Sequence, residues 1–202
     1  RKMGEPISHN KRIAKNTLML YIRMLITILV SLYTSRVVLS TLGIVDYGIY
    51  NVVGGVAAMF SFRNGTLSGA TSRFLTFALG ENNKEKLRNT FSAALTVHIV
   101  AAALIFVLCE TIGLWILEAK LNIPDDRMMA TRVLYQLSVL TVMLTITQVP
   151  YTAAIIAHER MDIFAYFSLG DVIFKLLAVY VLMIVPFDKL IVYGVLLFII
   201  SF

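Results

Sequence analysis

Residues 101–109, AAALIFVLC, and 176–185, LLAVYVLMIV, decide the fold class of this chain. Both are unbroken apolar runs. Neither shows the polar–apolar alternation over about ten residues that marks a membrane β-strand. Only helices and closed barrels cross hydrocarbon, because a backbone N–H or C=O left unpaired there is too costly. With alternation missing, the runs read as helices. Composition agrees: of 202 residues, 58% are hydrophobic and 15% charged, against about 45–50% and about 25% in soluble domains. The expected fold class is all-α, a polytopic membrane helix bundle.

Hydropathy places six spans at about 13–40, 47–78, 89–117, 130–156, 162–185 and 190–202, after a basic tail over residues 1–12. The connections are short, so consecutive helices are expected as antiparallel neighbours. The first apolar run is too long for a signal-peptide core and reads as a retained span. The last run is still apolar at Phe202, which reads as a sixth helix cut short with further helices to follow. Arg1, Lys2, Lys11, Arg12, Lys15, Arg73, Lys84, Lys86, Arg88 and Arg160 fall on one side of the spans. Arg36, Lys120, Arg127, Arg132 and Lys189 fall on the other. The richer set is expected to be cytoplasmic, which puts the N-terminus inside.

The net charge of +6 does not point to nucleic acid, because the cations are dispersed among spans and loops rather than gathered on a polar face. Enzymatic signatures are missing. HERMD at 158–162 begins like a zinc-protease motif, but Asp162 stands where the second histidine belongs. No cofactor is expected. Cys109, the one cysteine, lies in an apolar run and reads as a packing residue.

Three cations lie within spans: Arg23, Arg63 and Lys175. Charge at bilayer depth is expensive and normally faces a cavity or a partner. At 100° per residue, Asn16, Arg23, Thr27, Ser31 and Thr34 share an arc of about 80° on span one. On span four, Thr131, Tyr135, Ser138, Thr145 and Thr152 share about 100°. Each stripe alone fits interhelical hydrogen bonding; together with Arg23 they favour a wet interior. Arg63 lies about 16 Å along its helix from Val52, too deep to snorkel. It reads as a cavity residue or as half of a buried ion pair. Ser61, Gly65, Gly69 and Arg73 recur at steps of four, a spacing that allows close helix packing, with Arg73 near the headgroups. His98 reads as a bonded structural histidine. Glu110 suits pairing with Arg63 or carrying protons. Asp171 and Lys175 stand at i, i+4 with the acid first, the favourable order, and either neutralise one another or relay an ion. Pro150 is expected to kink span four.

Residues 35–53, SRVVLSTLGIVDYGIYNVV, resemble the start of the bacterial polysaccharide-biosynthesis flippases. In that family an arginine precedes a leucine–glycine turn and an acid-Tyr-Gly-x-Tyr segment, here Arg36, Leu42, Gly43, Asp46, Tyr47, Gly48 and Tyr50. Residues 64–95, NGTLSGATSRFLTFALGENNKEKLRNTFSAAL, are similar to the family's second helix, with Gly65 on its glycine and Arg73 on its arginine before an aromatic. The likeness is carried by residues 10–100. It implies an O-antigen type flippase of the multidrug/oligosaccharidyl-lipid/polysaccharide exporter superfamily, with two six-helix lobes in a MATE-like arrangement working by alternating access. This chain would be the N-terminal lobe, in the bacterial cytoplasmic (inner) membrane.

The implied activity is flipping of polyprenyl-diphosphate-linked oligosaccharide for surface polysaccharide biosynthesis. The partners are that glycan lipid, membrane lipids and a coupling proton or sodium ion. Arg23, Arg63 and Lys175 are expected to bind the diphosphate, since charge-assisted bonds to phosphate are strong. Thr27 and Ser31 would solvate sugars, and Asp171 or Glu110 would couple an ion. Arg63 departs from the family, where an apolar or acidic residue is the usual neighbour, so its role rests on depth alone. The alternatives are a drug/cation antiporter of the same superfamily, which would prefer an anionic cavity, and a non-transporting membrane subunit of polysaccharide assembly.

Overall fold

In the computed structural model the described residues are 6–61, 64–81 and 83–201, and every regular element among them is a helix. The longest, α1 (Pro6–Ser61), is bent at Gly43, whose φ of 81° and ψ of 172° leave the helical region. That torsion pair is open essentially to glycine alone. A Cβ there would meet nothing within 4 Å, so the requirement is conformational and not one of space. Two arms result, residues 6–42 and 44–61.

Next come α2 (Asn64–Gly80) and α3 (Lys84–Leu108). Asn83 caps α3 by accepting from the Lys86 backbone N–H at 3.1 Å, the usual service of an N-cap amide oxygen. A π turn, Cys109–Gly113, carries α3 into α4 (Leu114–Ala119). There Leu114 N–H reaches back to Cys109 O, and the same carbonyl accepts from the Tyr135 hydroxyl at 2.8 Å. A Cβ at Gly113 would overlap that hydroxyl, so the residue must stay small. A single 3₁₀ turn at Asp125–Arg127 leads into α5 (Met128–Ala157). After it come α6 (Met161–Ile184) and α7 (Lys189–Ser201).

Among the described residues, four stretches are long and apolar enough to cross a bilayer: Thr17–Val56, which includes the Gly43 bend, Lys84–Ala119, Asp125–Ala157 and Ile163–Ile184. The expected second span, 47–78, is carried by two pieces, the 44–61 arm and α2. At 17 and 13 residues, α2 and α7 are shorter than the roughly 20 residues a crossing needs.

The hub is α5, which packs against α1, α2, α3, α6 and α7. Its buried residues, among them Leu134, Tyr135, Val142, Val149 and Ala153, cover a broad arc of about 200° at 100° per residue, wider than the apolar stripe of a surface helix. The main core joins Ile49, Val53 and Val56 of α1 to Cys109, Leu117, Leu134, Tyr135, Val139 and Leu190. At Gly194, α7 passes so close to α5 that a Cβ would stand 2.8 Å from Leu134 Cδ1. Glycine serves close approach there and at Gly113. At Gly69, expected as a packing glycine, a Cβ would meet nothing within 4 Å, so α2 makes no tight crossing at that point. Pro150 is buried inside α5, which stays helical on both sides of it.

Contacts along the chain fix relative directions. Arg23 touches Ser168, Tyr33 touches Tyr180 and Lys189 touches Thr41, so the first arm of α1 and α6 run parallel. At the end where α1 bends, Arg127 gathers three segments. Its Nε donates to Asp46 Oδ1 at 2.8 Å and its Nη2 to Asp46 Oδ2, while Nη1 donates to Asp188 Oδ2 at 2.8 Å. Asp188 also accepts from the Leu190 N–H at 3.0 Å, capping α7. The guanidinium's planar fork suits this two-carboxylate grip.

Candidate functional site

Because α1 bends at Gly43, its two arms open a wedge that α6 and α7 close. The resulting cavity, about 330 Å³, is lined by Thr27, Ser31, Thr34 and Ser35 from the first arm and Tyr47, Tyr50 and Asn51 from the second. From α6 come Asp171, Val172 and Lys175, and from α7 Tyr193 and Leu197. Its volume is at the small end for ligand pockets.

Two stripes face each other along the α1–α6 seam. On α1, Arg23, Thr27, Ser31 and Thr34 follow helical spacing, as the sequence indicates. On α6, Phe164, Ser168, Asp171 and Lys175 do the same. Lys175 Nζ donates to Asp171 Oδ2 at 2.8 Å, and both side chains remain roughly half exposed, at 48% and 44%. The pair lies well inside α6: Lys175 is about 21 Å along the axis from Met161 at 1.5 Å per residue. Thr34 Oγ1 is buried on the cavity wall without a hydrogen-bond partner.

Arg23 lies farther along the same seam, level with the first two turns of α6. Its Nη1 donates to Ser168 Oγ at 2.9 Å and its guanidinium sits over the Phe164 ring, 4.7 Å from the centroid, a cation–π contact. Its Nε is buried without a partner. Arg23 therefore flanks the cavity instead of lining it.

Thr27, Ser31, Asp171 and Lys175 thus meet in one cavity, with Arg23 beside it. Glu110 is elsewhere: it sits in the π turn, where its Oε2 accepts from Gln136 Nε2 at 3.2 Å and its Oε1 is buried without a partner. Arg63 lies outside the described residues, as do the side chains of Asn16, Ser61 and Gly65's neighbour Thr66. Buried to 1% exposure, His98 bonds Ala94 O through Nδ1 at 2.8 Å, while its Nε2 is buried without a partner.

The second hydroxyl stripe, on α5, does not line the cavity. Thr131, Ser138 and Thr145 donate to the carbonyls of Arg127, Leu134 and Thr141 four residues back, at 2.8, 2.8 and 2.9 Å. Tyr135 serves the π turn. These hydroxyls are satisfied within the protein, so the wet surface inferred from two stripes belongs to α1 and α6 instead. Sequence reasoning also missed Tyr47, Tyr50, Asn51 and Tyr193. Tyr50 packs edge-on against Tyr193 with centroids 5.0 Å apart, and Tyr47 tilts against Tyr50 at 6.4 Å. Only Tyr47 and Tyr50 carried a signal, as members of the acid-Tyr-Gly-x-Tyr segment.

A second depression, lined by Ser72, Arg73, Thr76, Phe77, Gly80 and Glu81, lies at the opposite end of α2. Lys86 bridges to Glu81 there at 2.6 Å. Among the described residues no three His, Cys, Asp or Glu side chains gather as a metal site. No family model, curated protein or solved structure matches the chain.

Proposed function

We propose that this chain is the N-terminal lobe of a MATE-like flippase that translocates polyprenyl-diphosphate-linked oligosaccharide by alternating access. The observation that carries the reading is the cavity itself. Hydroxyls of Thr27, Ser31 and Thr34 stand opposite Asp171 and Lys175 inside a helix bundle of this apolarity, with Arg23 on the same seam. A structural subunit has no need of a charged, hydroxylated cavity between its helices, since such groups are costly at that depth.

In this reading Lys175 and Arg23 take the diphosphate, and the hydroxyls with Asn51 take sugar hydroxyls. The three tyrosines supply flat apolar faces with polar tips. The test is translocation of a lipid-linked glycan by the complete protein in liposomes. Changing both Arg23 and Lys175 to alanine is expected to lower transport at least about 100-fold if each supplies about 1.4–3 kcal/mol through charge-assisted bonding. Undiminished transport by that variant rules the site out.

Asp171 on the cavity wall favours one second reading, a drug/cation antiporter on the same architecture. Cation-dependent efflux of cationic dyes, lost in Asp171→Asn and kept in Lys175→Ala, would select it over the flippase.

A further inference from the structure

The cavity's cation is already occupied. Lys175 Nζ is held at 2.8 Å by Asp171, one helical turn away on the same face of α6. An anion that approaches Lys175 meets the Asp171 carboxylate at the same place, and like charges at contact distance repel. Two events together remove the conflict: a proton settles on Asp171, and the Lys175 ammonium turns from the carboxyl to the anion. We propose that Asp171 is a built-in stand-in for the ligand's anionic group, so that the cavity takes up one proton for each anion it binds. This rests on reading the cavity as an anion site, and deepens it by stating how binding is regulated.

Charge balance supports the exchange. The resting pair is neutral. With the carboxylate retained, the loaded site would hold two negative groups on one lysine. With the proton added, it holds one cation, one neutral acid and the anion. The pair is also cheap to part, because both members sit on one helix and their separation breaks no contact between segments. Thr34 Oγ1, buried and unpartnered on the facing wall, offers a donor that the resting state leaves unused. The other titratable groups on the walls are Tyr47 and Tyr50 of α1 and Tyr193 of α7. Arg23 stands farther along the α1 seam, and Tyr33, level with Ser31 and Thr34, meets Tyr180 of α6. No histidine or second carboxylate lines the cavity among the described residues.

Sulfate suits the test because it does not itself titrate near neutral pH. Its binding to the purified full chain in detergent is measured by calorimetry in two buffers of different ionisation enthalpy, between about pH 5.5 and about pH 8. The expected result is about one proton taken up per sulfate, with affinity tightening by up to about tenfold for each unit by which the pH falls. Asp171→Asn should bind more tightly at the upper pH and lose both the uptake and the pH dependence. Lys175→Gln should not bind. Binding that needs Lys175 but is identical in pH dependence in wild type and Asp171→Asn overturns the exchange and leaves the anion site standing. Absence of Lys175-dependent binding in both proteins overturns the anion site as well. Should Asp171→Asn fail to fold, the proton count on the wild type decides alone: no uptake refutes the exchange.

Discussion

Arg127 with Asp46 and Asp188, and Lys175 with Asp171, are both cation–carboxylate contacts, yet they do different things for the molecule. Arg127 reaches residues 81 and 61 positions away in sequence, and its side chain and that of Asp46 are only 23% and 13% exposed. It ties the segment after the Gly43 bend, the entry to α5 and the loop before α7 into one end of the bundle. Lys175 reaches four residues along its own helix and stays half open to a cavity. A bond across segments is part of what defines the fold. A bond within one helix defines nothing beyond that helix, so its groups remain available to a ligand.

Removing Arg127 should have the largest effect. Arg127→Ala leaves two carboxylates facing one another, and about 2–3 kcal/mol of stability should go. That is below the roughly 3–5 kcal/mol of a fully buried pair, because Arg127 keeps some exposure. Thermal unfolding in detergent followed by circular dichroism measures it; a melt indistinguishable from wild type would show the cluster to be ornamental. Gly43→Ala comes next, at about 1–3 kcal/mol for forcing a side chain into that torsion. It should disturb both regions at once, since the bend sets Asp46 before Arg127 and Tyr47 and Tyr50 on the cavity wall. Unfolding together with sulfate binding would report it.

Smaller still is Asp171→Asn, which should shift unfolding by less than about 1 kcal/mol, as for exposed i, i+4 pairs. A loss as large as that of Arg127→Ala would show that the Asp171–Lys175 pair also holds the fold together. The smallest effect has the opposite sign. Thr34→Val removes a buried hydroxyl that has no partner, and should raise stability by a few tenths to about 1 kcal/mol while weakening ligand binding. Stabilisation without any loss of binding would place Thr34 outside the site.

How much of this could be read in advance follows from how each feature is encoded. The α1 stripe is explicit, because Arg23, Thr27, Ser31 and Thr34 keep a helical period. So is the Asp171–Lys175 spacing. The Leu42–Gly43 turn also announces itself, although the sequence does not say that the helix resumes at once beyond it. Which helices face one another is not written locally. The α5 stripe misled for a physical reason: a threonine that donates to the carbonyl four residues back has the same spacing as one that faces water. Tyr193 was hidden because a tyrosine in an apolar run reads equally as core or as an interface anchor. The relative level of Arg23 depends on where its neighbour α6 begins, which no property of α1 encodes.

The bend at Gly43 has a mechanical side. Residues 17–42 make a rod of about 39 Å at 1.5 Å per residue, so a change of about 10° at one glycine swings its far end by about 7 Å. The two flanks of that glycine are moored to adjacent residues: Thr41 to Lys189 through its carbonyl, and Asp46, by way of Arg127, to Asp188. The short loop ahead of α7 therefore acts as a bridle on both sides of the joint. Any displacement of that loop is delivered, multiplied by the length of the rod, to the wedge between the two arms of α1.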